Sequence, residues 1–77
     1  MPRLPRISGE EAVKAFVKAG WILDRLSQRN HFVLSRPSSL YSLSVPNHKE
    51  LDTGLLRSLI RKAGLTVEGF LKLLKSY

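Results

Sequence analysis

The sequence contains no cysteine, and only six acidic residues accompany thirteen lysines and arginines. Without cysteine the chain cannot build a disulfide framework, a thiolate metal site or a cysteine nucleophile. The absence fits a reducing compartment, and we expect a cytoplasmic protein. No apolar run approaches the roughly 18 residues of a membrane-spanning helix, so a membrane role is not expected. The sequence also lacks a glycine-rich phosphate loop and a G-x-S-x-G nucleophile elbow, which excludes two common catalytic frameworks.

The chain is small and carries an excess of positive charge. It contains 77 residues, 43% of them hydrophobic, and carries a formal net charge of +7. The length predicts a single domain, which we assign to residues 7–77 after a short N-terminal arm of residues 1–6. Such a charge is typical of domains that bind polyanions, above all nucleic acids. The alternative is a soluble basic domain whose charges are scattered over its surface.

Two kinds of hydrophobic periodicity divide the first half of the chain. A helix is predicted in "SGEEAVKAFVKAGW", where Ser8 and Glu11 have the spacing of a capping box and Gly20 ends the helix. The runs "WILDRL" and "HFVLS" flank the polar turn "SQRN" and are typical of an antiparallel hairpin. The alternating run "LYSLSVP" predicts a third strand, with Tyr41 and Leu43 on the same face.

Two further helices are predicted in the second half. Asp52 or Thr53 can cap the run "LLRSLIRKA", and a shorter helix begins at Thr66 in "TVEGFLKLLK". The order of elements is therefore α-β-β-β-α-α. This order predicts an α+β fold with a three-stranded antiparallel sheet, in which helices cover one face and leave the other open to solvent.

The alternation along the strands predicts which side chains face the helices. Phe32 and Leu34 share one face of the second strand, and His31 lies on the opposite face. Because two large apolar side chains gain more from burial, we expect Phe32 and Leu34 to face the helices. From the third strand, Leu43 and Val45 should join them. His31 then stands on the open face, although a register error of one residue would reverse this assignment.

His31 is the residue that could carry chemistry. Histidine is the side chain whose unperturbed pKa lies nearest neutrality, so it can both give and take protons. Arginines close to it in sequence could hold a phosphodiester while it acts as general acid or base. The alternative is an ordinary surface histidine at the start of a strand, and the same alternative applies to His48. Two histidines without an adjoining His, Asp or Glu cluster do not indicate a zinc site, so we predict neither a metal nor a cofactor.

Several fragments, taken together, resemble a known family. They are "GWILDR", "HFVLSRP" and "LSVPNHKELDTGLLRSLIRKAGLTVEGFLKLL". They resemble the HicA family of toxins from bacterial toxin–antitoxin pairs. Members show a helix, then Gly-Trp, a Gly-Ser-His motif that opens a strand, and Val-Pro-x-His before a helix that ends in Ala-Gly-Leu. The most specific part is "TGLLRSLIRKAGL" at a fixed distance from "VPNH".

The resemblance implies a fold, an activity and a partner. HicA toxins are similar in fold to double-stranded RNA-binding domains and act as ribosome-independent mRNA interferases. The histidine of their Gly-Ser-His motif is catalytic, and the matching position in this chain is His31. Their partner is a HicB antitoxin, which binds the toxin and covers its active site.

The chain departs from the family pattern directly before this histidine. Arg29 and Asn30 stand where the family has Gly-Ser. Glycine there would permit a positive φ or a close approach of RNA to the backbone. Asparagine tolerates the left-handed conformation better than most residues, so we expect the turn to be kept. Arg29 adds a phosphate-binding cation and bulk, which bears on the efficiency and sequence preference of cleavage more than on the fold.

Three functions remain open at this point. In the first, the chain is a metal-independent endoribonuclease toxin in which His31 transfers the proton. The candidate phosphate-binding residues are then Arg25, Arg29, Arg36 and Lys49. In the second, the chain is a non-catalytic RNA-binding module of the same fold, which binds through counterion release and does not use the histidine. In the third, it is a basic subunit that an acidic partner protein neutralises. An acidic protein encoded next to this one would favour the first and third.

Overall fold

Six elements follow one another in the order that the sequence predicts. The computed structural model describes residues 3–75, and within them the helices and strands are α1 Gly9–Lys18, β1 Ile22–Leu26, β2 His31–Ser35, β3 Leu43–Pro46, α2 Thr53–Lys62 and α3 Val67–Lys75. The α+β class and the α-β-β-β-α-α order are therefore confirmed. In the same stretch of chain no helix is both long and apolar enough to cross a bilayer.

Each helix begins at a cap whose side chain accepts a hydrogen bond from one of the free backbone amides of the first turn. Ser8 Oγ accepts a hydrogen bond from Glu11 N at 3.1 Å, and Glu11 Oε1 accepts one from Ser8 N at 3.2 Å. The predicted capping box is therefore present. After α1 the chain turns at Gly20, whose φ of +106° is adopted readily only by glycine. Asp52 and Thr66 cap α2 and α3, and each accepts from an amide three residues on at 3.0 Å.

The sheet is antiparallel and has the strand order β1-β2-β3. A four-residue loop joins β1 to β2. Across β2 and β3, Leu34 lies opposite Leu43, and Phe32 lies opposite Val45. Because directly opposed residues of neighbouring strands project to the same face, these four side chains form one apolar surface.

This apolar surface faces the helices. Leu34, Leu43 and Val45 are completely buried, and Phe32 is partly buried against the core. His31 lies on the opposite face and is partly exposed. The predicted assignment of the two faces is therefore confirmed, and so is the strand register on which it depends.

A pair of aromatic rings joins the first helix to the last above the sheet. Phe16 of α1 and Phe70 of α3 are fully buried, and their ring centroids lie 5.3 Å apart at an interplanar angle of 48°. Tilted aromatic pairs at this separation are favourable beyond the burial of their surface. Full burial of one such side chain stabilises a fold by about 1.5–3 kcal/mol. The contact therefore makes α3 part of the core of this domain.

The third strand is shorter than the sequence predicts. It begins at Leu43, and Tyr41 lies outside it with 63% of its surface exposed. Tyr41 N donates to Ser39 Oγ at 3.1 Å, so a local turn takes the amide that a strand ladder would use. The Lys62 ammonium lies 5.8 Å from the Tyr41 ring centroid and makes a cation–π contact with it. The prediction that Tyr41 shares the buried face of the strand is therefore wrong.

The residues before α1 pack onto the rest of the chain. Leu4 and Ile7 are buried in the core, and Leu51 N donates to Ile7 O at 2.7 Å. The division into an arm of residues 1–6 and a domain of residues 7–77 stays a prediction, since both ends of the chain lie outside the described residues. At Leu4, however, the arm already contributes to the core.

Gly9 lies where α1 comes closest to the end of β3. Its amide donates to His48 O at 2.9 Å, and a Cβ at this position would overlap Pro46 O. We predict that Gly9→Ala lowers the free energy of unfolding by about 1–3 kcal/mol, because the two segments must move apart. Denaturant unfolding measures the change. The matched control is Gly54→Ala, also in a first helical turn, where the added Cβ would meet only the Asp52 carboxylate at 3.1 Å. Equal losses in the two variants would contradict this explanation.

Candidate active site

His31 begins β2 directly after the hairpin loop, and the loop holds its backbone. Asn30 N donates to Ser27 O at 2.9 Å, and Ser27 N donates to His31 O at 2.8 Å. His31 N donates to Ser27 Oγ at 3.3 Å. Asn30 has a φ of +62°, the one positive φ of a non-glycine residue within residues 3–75. The expectation that a left-handed asparagine keeps the turn is therefore confirmed.

Asn30 also ties the hairpin loop to the end of β3. Its carbonyl oxygen accepts a hydrogen bond from Asn47 N at 2.9 Å, and its Oδ1 accepts one from Asn47 Nδ2 at 3.2 Å. Asn47 follows Pro46, which is the residue opposite His31 in the sheet register. The backbone of the histidine is thus held from the hairpin side and from the β3 side.

The imidazole of His31 lies on the open face of the sheet beside Ser44. His31 Nδ1 is 3.0 Å from Ser44 Oγ, and the ring has no other hydrogen bond within the described residues. A hydroxyl can accept from a protonated Nδ1, which leaves Nε2 basic, or donate to a bare Nδ1 when Nε2 carries the proton. The contact therefore orients the ring, and Ser44 Oγ can accept from Nδ1–H both before and after Nε2 takes a proton.

A β-bulge turns two charged residues of β1 toward the same open face. The pairing of β1 with β2 is interrupted at Asp24, which is the extra residue of the bulge. Arg25 lies opposite Val33, and Val33 shares a face of β2 with His31 two residues away. Asp24 Oδ1 accepts a hydrogen bond from Ser35 Oγ at 3.0 Å farther along that face. Arg25 is therefore a diagonal neighbour of the histidine across the two strands.

The other cations predicted to hold phosphate lie at different places. Arg29 is exposed in the hairpin loop two residues before His31, and Lys49 is exposed in the loop that follows β3. Arg36 follows the opposite end of β2, about 17 Å away along the strand. Its guanidinium lies 5.9 Å from the ring centroid of the buried tryptophan. The structure thus places Arg25 and Arg29 near the histidine and separates Arg36 from it.

Sequence reasoning did not identify two side chains at this site, Ser44 and Asn47. The alternation of Ser44 with its apolar neighbours is a signal for the open face. The side chain it meets, however, depends on the register of β3 against β2, and the connection at 36–42 does not reveal that register. Asn47 reads from sequence as an ordinary loop residue after a proline. Its role depends on the approach of the hairpin loop.

His48, the second histidine, makes no side-chain hydrogen bond within residues 3–75, and its side chain is exposed. Its carbonyl oxygen accepts from the first amide of α1. Across the described part of the chain, no group of three or more His, Cys, Asp or Glu residues is placed to hold a metal ion. The structure brings together one oriented imidazole, a hydroxyl and the Arg25 side chain on an open sheet face, with Arg29 in the adjoining loop.

A family model matches the part of the chain that builds this arrangement. The model is described as HicA toxin of bacterial toxin-antitoxin, and it matches residues 9–65, from α1 to just beyond α2. This chain belongs to the HicA toxin family. A HicA toxin is one component of a toxin–antitoxin pair, so the protein has an antitoxin as its partner. Searches of curated proteins and of solved structures found no match.

The matched part of this HicA toxin contains the whole sheet and the site. His31, Ser44 and the Asn30–Asn47 contact all lie within it, whereas α3 lies beyond it. The resemblance inferred from sequence is therefore confirmed at the level of the family. The helix beyond the match adds Phe70 to the core.

We predict that the left-handed turn makes Asn30 sensitive to the choice of replacement. Asn30→Ala should lower the free energy of unfolding by about 1–2 kcal/mol, because alanine is strained at this φ. Asn30→Gly should cost less, because glycine accepts the conformation and loses only the side-chain contact with Asn47. Denaturant unfolding measures both, with Arg29→Ala as a control that should leave stability unchanged. An equal loss for alanine and glycine would show that φ is not the constraint.

Proposed function

We propose that this HicA toxin is an mRNA interferase, a metal-independent endoribonuclease in which His31 transfers the proton. The observation that carries the proposal is the position of its imidazole. The ring lies on the open face of the sheet, Ser44 holds Nδ1, and Nε2 has no hydrogen bond within the described residues. A single oriented imidazole beside guanidinium groups suits the cleavage of a phosphodiester. The cytoplasm is the compartment in which such a toxin meets mRNA.

RNA carries its own nucleophile, so one histidine and nearby cations suffice for this reaction. A base takes the proton of the 2′-OH, O2′ forms a bond to the adjacent phosphorus, and the P–O5′ bond breaks as the leaving oxygen receives a proton. The products are a 2′,3′-cyclic phosphate and a 5′-hydroxyl. With Nδ1–H donating to Ser44 Oγ, His31 Nε2 takes the O2′ proton and the ring becomes an imidazolium. The imidazolium then gives that proton to the leaving O5′ and returns to the neutral form.

The arginines act on the negative charge that develops on the phosphoryl oxygens. Arg25 projects from β1 on the face of His31, and Arg29 projects from the hairpin loop. A guanidinium can bind a phosphate through two parallel hydrogen bonds, and its charge counts most where charge grows in the transition state. Lys49 and Arg36 contact the RNA backbone away from the scissile bond, Arg36 beyond the far end of β2.

The antitoxin partner is of the HicB type and inhibits by covering the open face. The chain carries a net charge of +7, and His31 lies on the side of the sheet that the helices leave free. An acidic surface of the antitoxin therefore neutralises the arginines that would otherwise hold RNA. Antitoxin and RNA compete for the same residues.

The proposal predicts that His31→Ala lowers the rate of RNA cleavage by about 10²-fold or more, since a positioned acid–base group contributes about 10²–10⁴-fold. Growth inhibition should be lost with it, while the fold is kept because the side chain is partly exposed. Cleavage of a labelled RNA in the presence of a chelator measures the effect. His48→Ala is the matched control and should cut at the parent rate.

Two outcomes contradict the proposal. If His31→Ala cuts RNA at the parent rate, the histidine is not the proton-transfer group. If the parent chain binds labelled RNA and never cuts it, the chain is a non-catalytic RNA-binding module. That alternative draws support from Arg29 and Asn30, which stand where the family has Gly-Ser.

A further inference from the structure

The helices do not cover the whole of the sheet face on which they pack. At the β1 edge, next to α1, that face stays exposed. β1 is an edge strand, and each of its residues is exposed. Leu23 and Leu26 of this strand are 44% and 52% exposed, and Val17 of α1 is 45% exposed. Exposed apolar side chains that cluster on one part of a surface are typical of interaction sites, whereas isolated ones are not. The margin between α1 and β1 is therefore a candidate interface.

A groove of about 240 Å³ lies within this margin. We call it the α1–β1 groove, and it is lined by Glu10, Val13, Lys14, Leu23 and Phe32. Three of these side chains are apolar, and the two charged ones have opposite sign. The groove is therefore suited to apolar side chains of a partner rather than to a polyanion.

The α1–β1 groove continues toward the tip of the hairpin. Leu26 lies opposite Phe32 in the register, so the two side chains share the face that lines the groove. Leu26 also lines a second depression, which includes Arg25 and Arg29 at the hairpin tip. A bound segment that extends beyond the groove in this direction would reach the guanidinium groups of Arg25 and Arg29, next to the loop that precedes His31.

We propose that the α1–β1 groove is the anchoring site of the antitoxin. The antitoxin fills the groove with apolar side chains and continues with acidic residues that pair with Arg25 and Arg29 at the hairpin tip. The inference rests on the proposed function in one respect, namely that antitoxin and RNA compete for these two arginines. It adds a second contact surface, on the side of the hairpin away from the open face.

Two other occupants fit the observations less well. RNA would find one cation in the groove, Lys14, and a carboxylate, Glu10, to repel its phosphates. A second copy of the chain would bring two bodies of charge +7 together, which opposes association. The bulge at Asp24 also interrupts the regular edge that a paired β1 strand would need. An acidic protein partner is attracted by the same charge that repels a second copy.

The arrangement separates anchoring from catalysis. Leu23 and Lys14 line the groove, whereas His31 and Ser44 lie on the opposite face of the sheet. A substitution in the groove should therefore weaken the antitoxin complex without altering the cleavage of RNA by the free toxin. A toxin altered in this way would resist neutralisation.

The first test replaces Leu23 by serine. The probe is the purified protein encoded beside the toxin gene, titrated into the toxin by calorimetry. Leu23→Ser should raise Kd about tenfold or more, because the apolar surface of a leucine would no longer be buried in the complex. Its cleavage of labelled RNA without the antitoxin should equal that of the parent. The matched control is Leu55→Ser on α2, where a leucine is 37% exposed away from the groove.

The second test changes a charge without removing apolar surface, so that it holds even if Leu23→Ser unfolds. Lys14→Glu places a carboxylate at the groove and should raise Kd for the same probe. Lys72→Glu on α3 makes the same change in net charge away from the groove and should raise Kd less. Both lysines are exposed, so both variants should fold.

Three results would overturn the inference. One is an unchanged Kd for both groove variants, and another is failure of the parent toxin to bind the probe protein at all. The third is a dimer of the toxin alone, seen by sedimentation, that Leu23→Ser dissolves, since the occupant would then be a second copy. A parent toxin that binds the probe but cuts no RNA would contradict the proposed function instead, and the comparison of Kd values would still stand.

Discussion

The pairing of β2 with β3 is the constraint on which the site depends. With Leu34 opposite Leu43 and Phe32 opposite Val45, the apolar face of the two strands lies under the helices. The same register places the polar side chains of both strands on the other face, where Ser44 meets the histidine ring. A slip of one residue would reverse every side chain. Burial of each large apolar side chain is worth about 1.5–3 kcal/mol, so the core stabilises this register. The same register keeps the imidazole on the solvent-exposed face.

A series of hydrogen bonds links the start of α1 and the end of β3 to the residues around the histidine. The first amide of α1 binds His48 O, the preceding residue Asn47 binds Asn30, and Asn30 leads directly into His31. The start of α1 is therefore connected to His31 through two hydrogen-bonded contacts, Gly9 with His48 and Asn47 with Asn30. Asn30 takes the left-handed conformation that a glycine would take easily, and its side chain adds a link to β3 that glycine would not provide.

The sequence predicts the elements, their order and the two faces of the sheet, because caps and periodicity are local signals. It does not predict the contact between Ser44 and the histidine, since that contact depends on register across a long connection. Tyr41 fits the alternation of a strand, yet a turn at Ser39 takes its amide. Arg36 is close to the histidine in sequence, but an extended strand carries it to the other end of the sheet, against the tryptophan.

The two sides of the β1–β2 hairpin therefore differ in chemistry. One side presents an imidazole and an arginine side chain, and the other presents apolar side chains beside α1. The proposed function requires that the toxin use the 2′-OH of RNA as the nucleophile, with His31 as the proton carrier. The most direct measurement compares an RNA with the same RNA carrying a 2′-deoxy nucleotide at the cleaved position, both with a chelator present. The account predicts cleavage of the first to a 2′,3′-cyclic phosphate and a 5′-hydroxyl, and no cleavage of the second at that position. Equal cleavage of both, or a product with a 5′-phosphate, would contradict it.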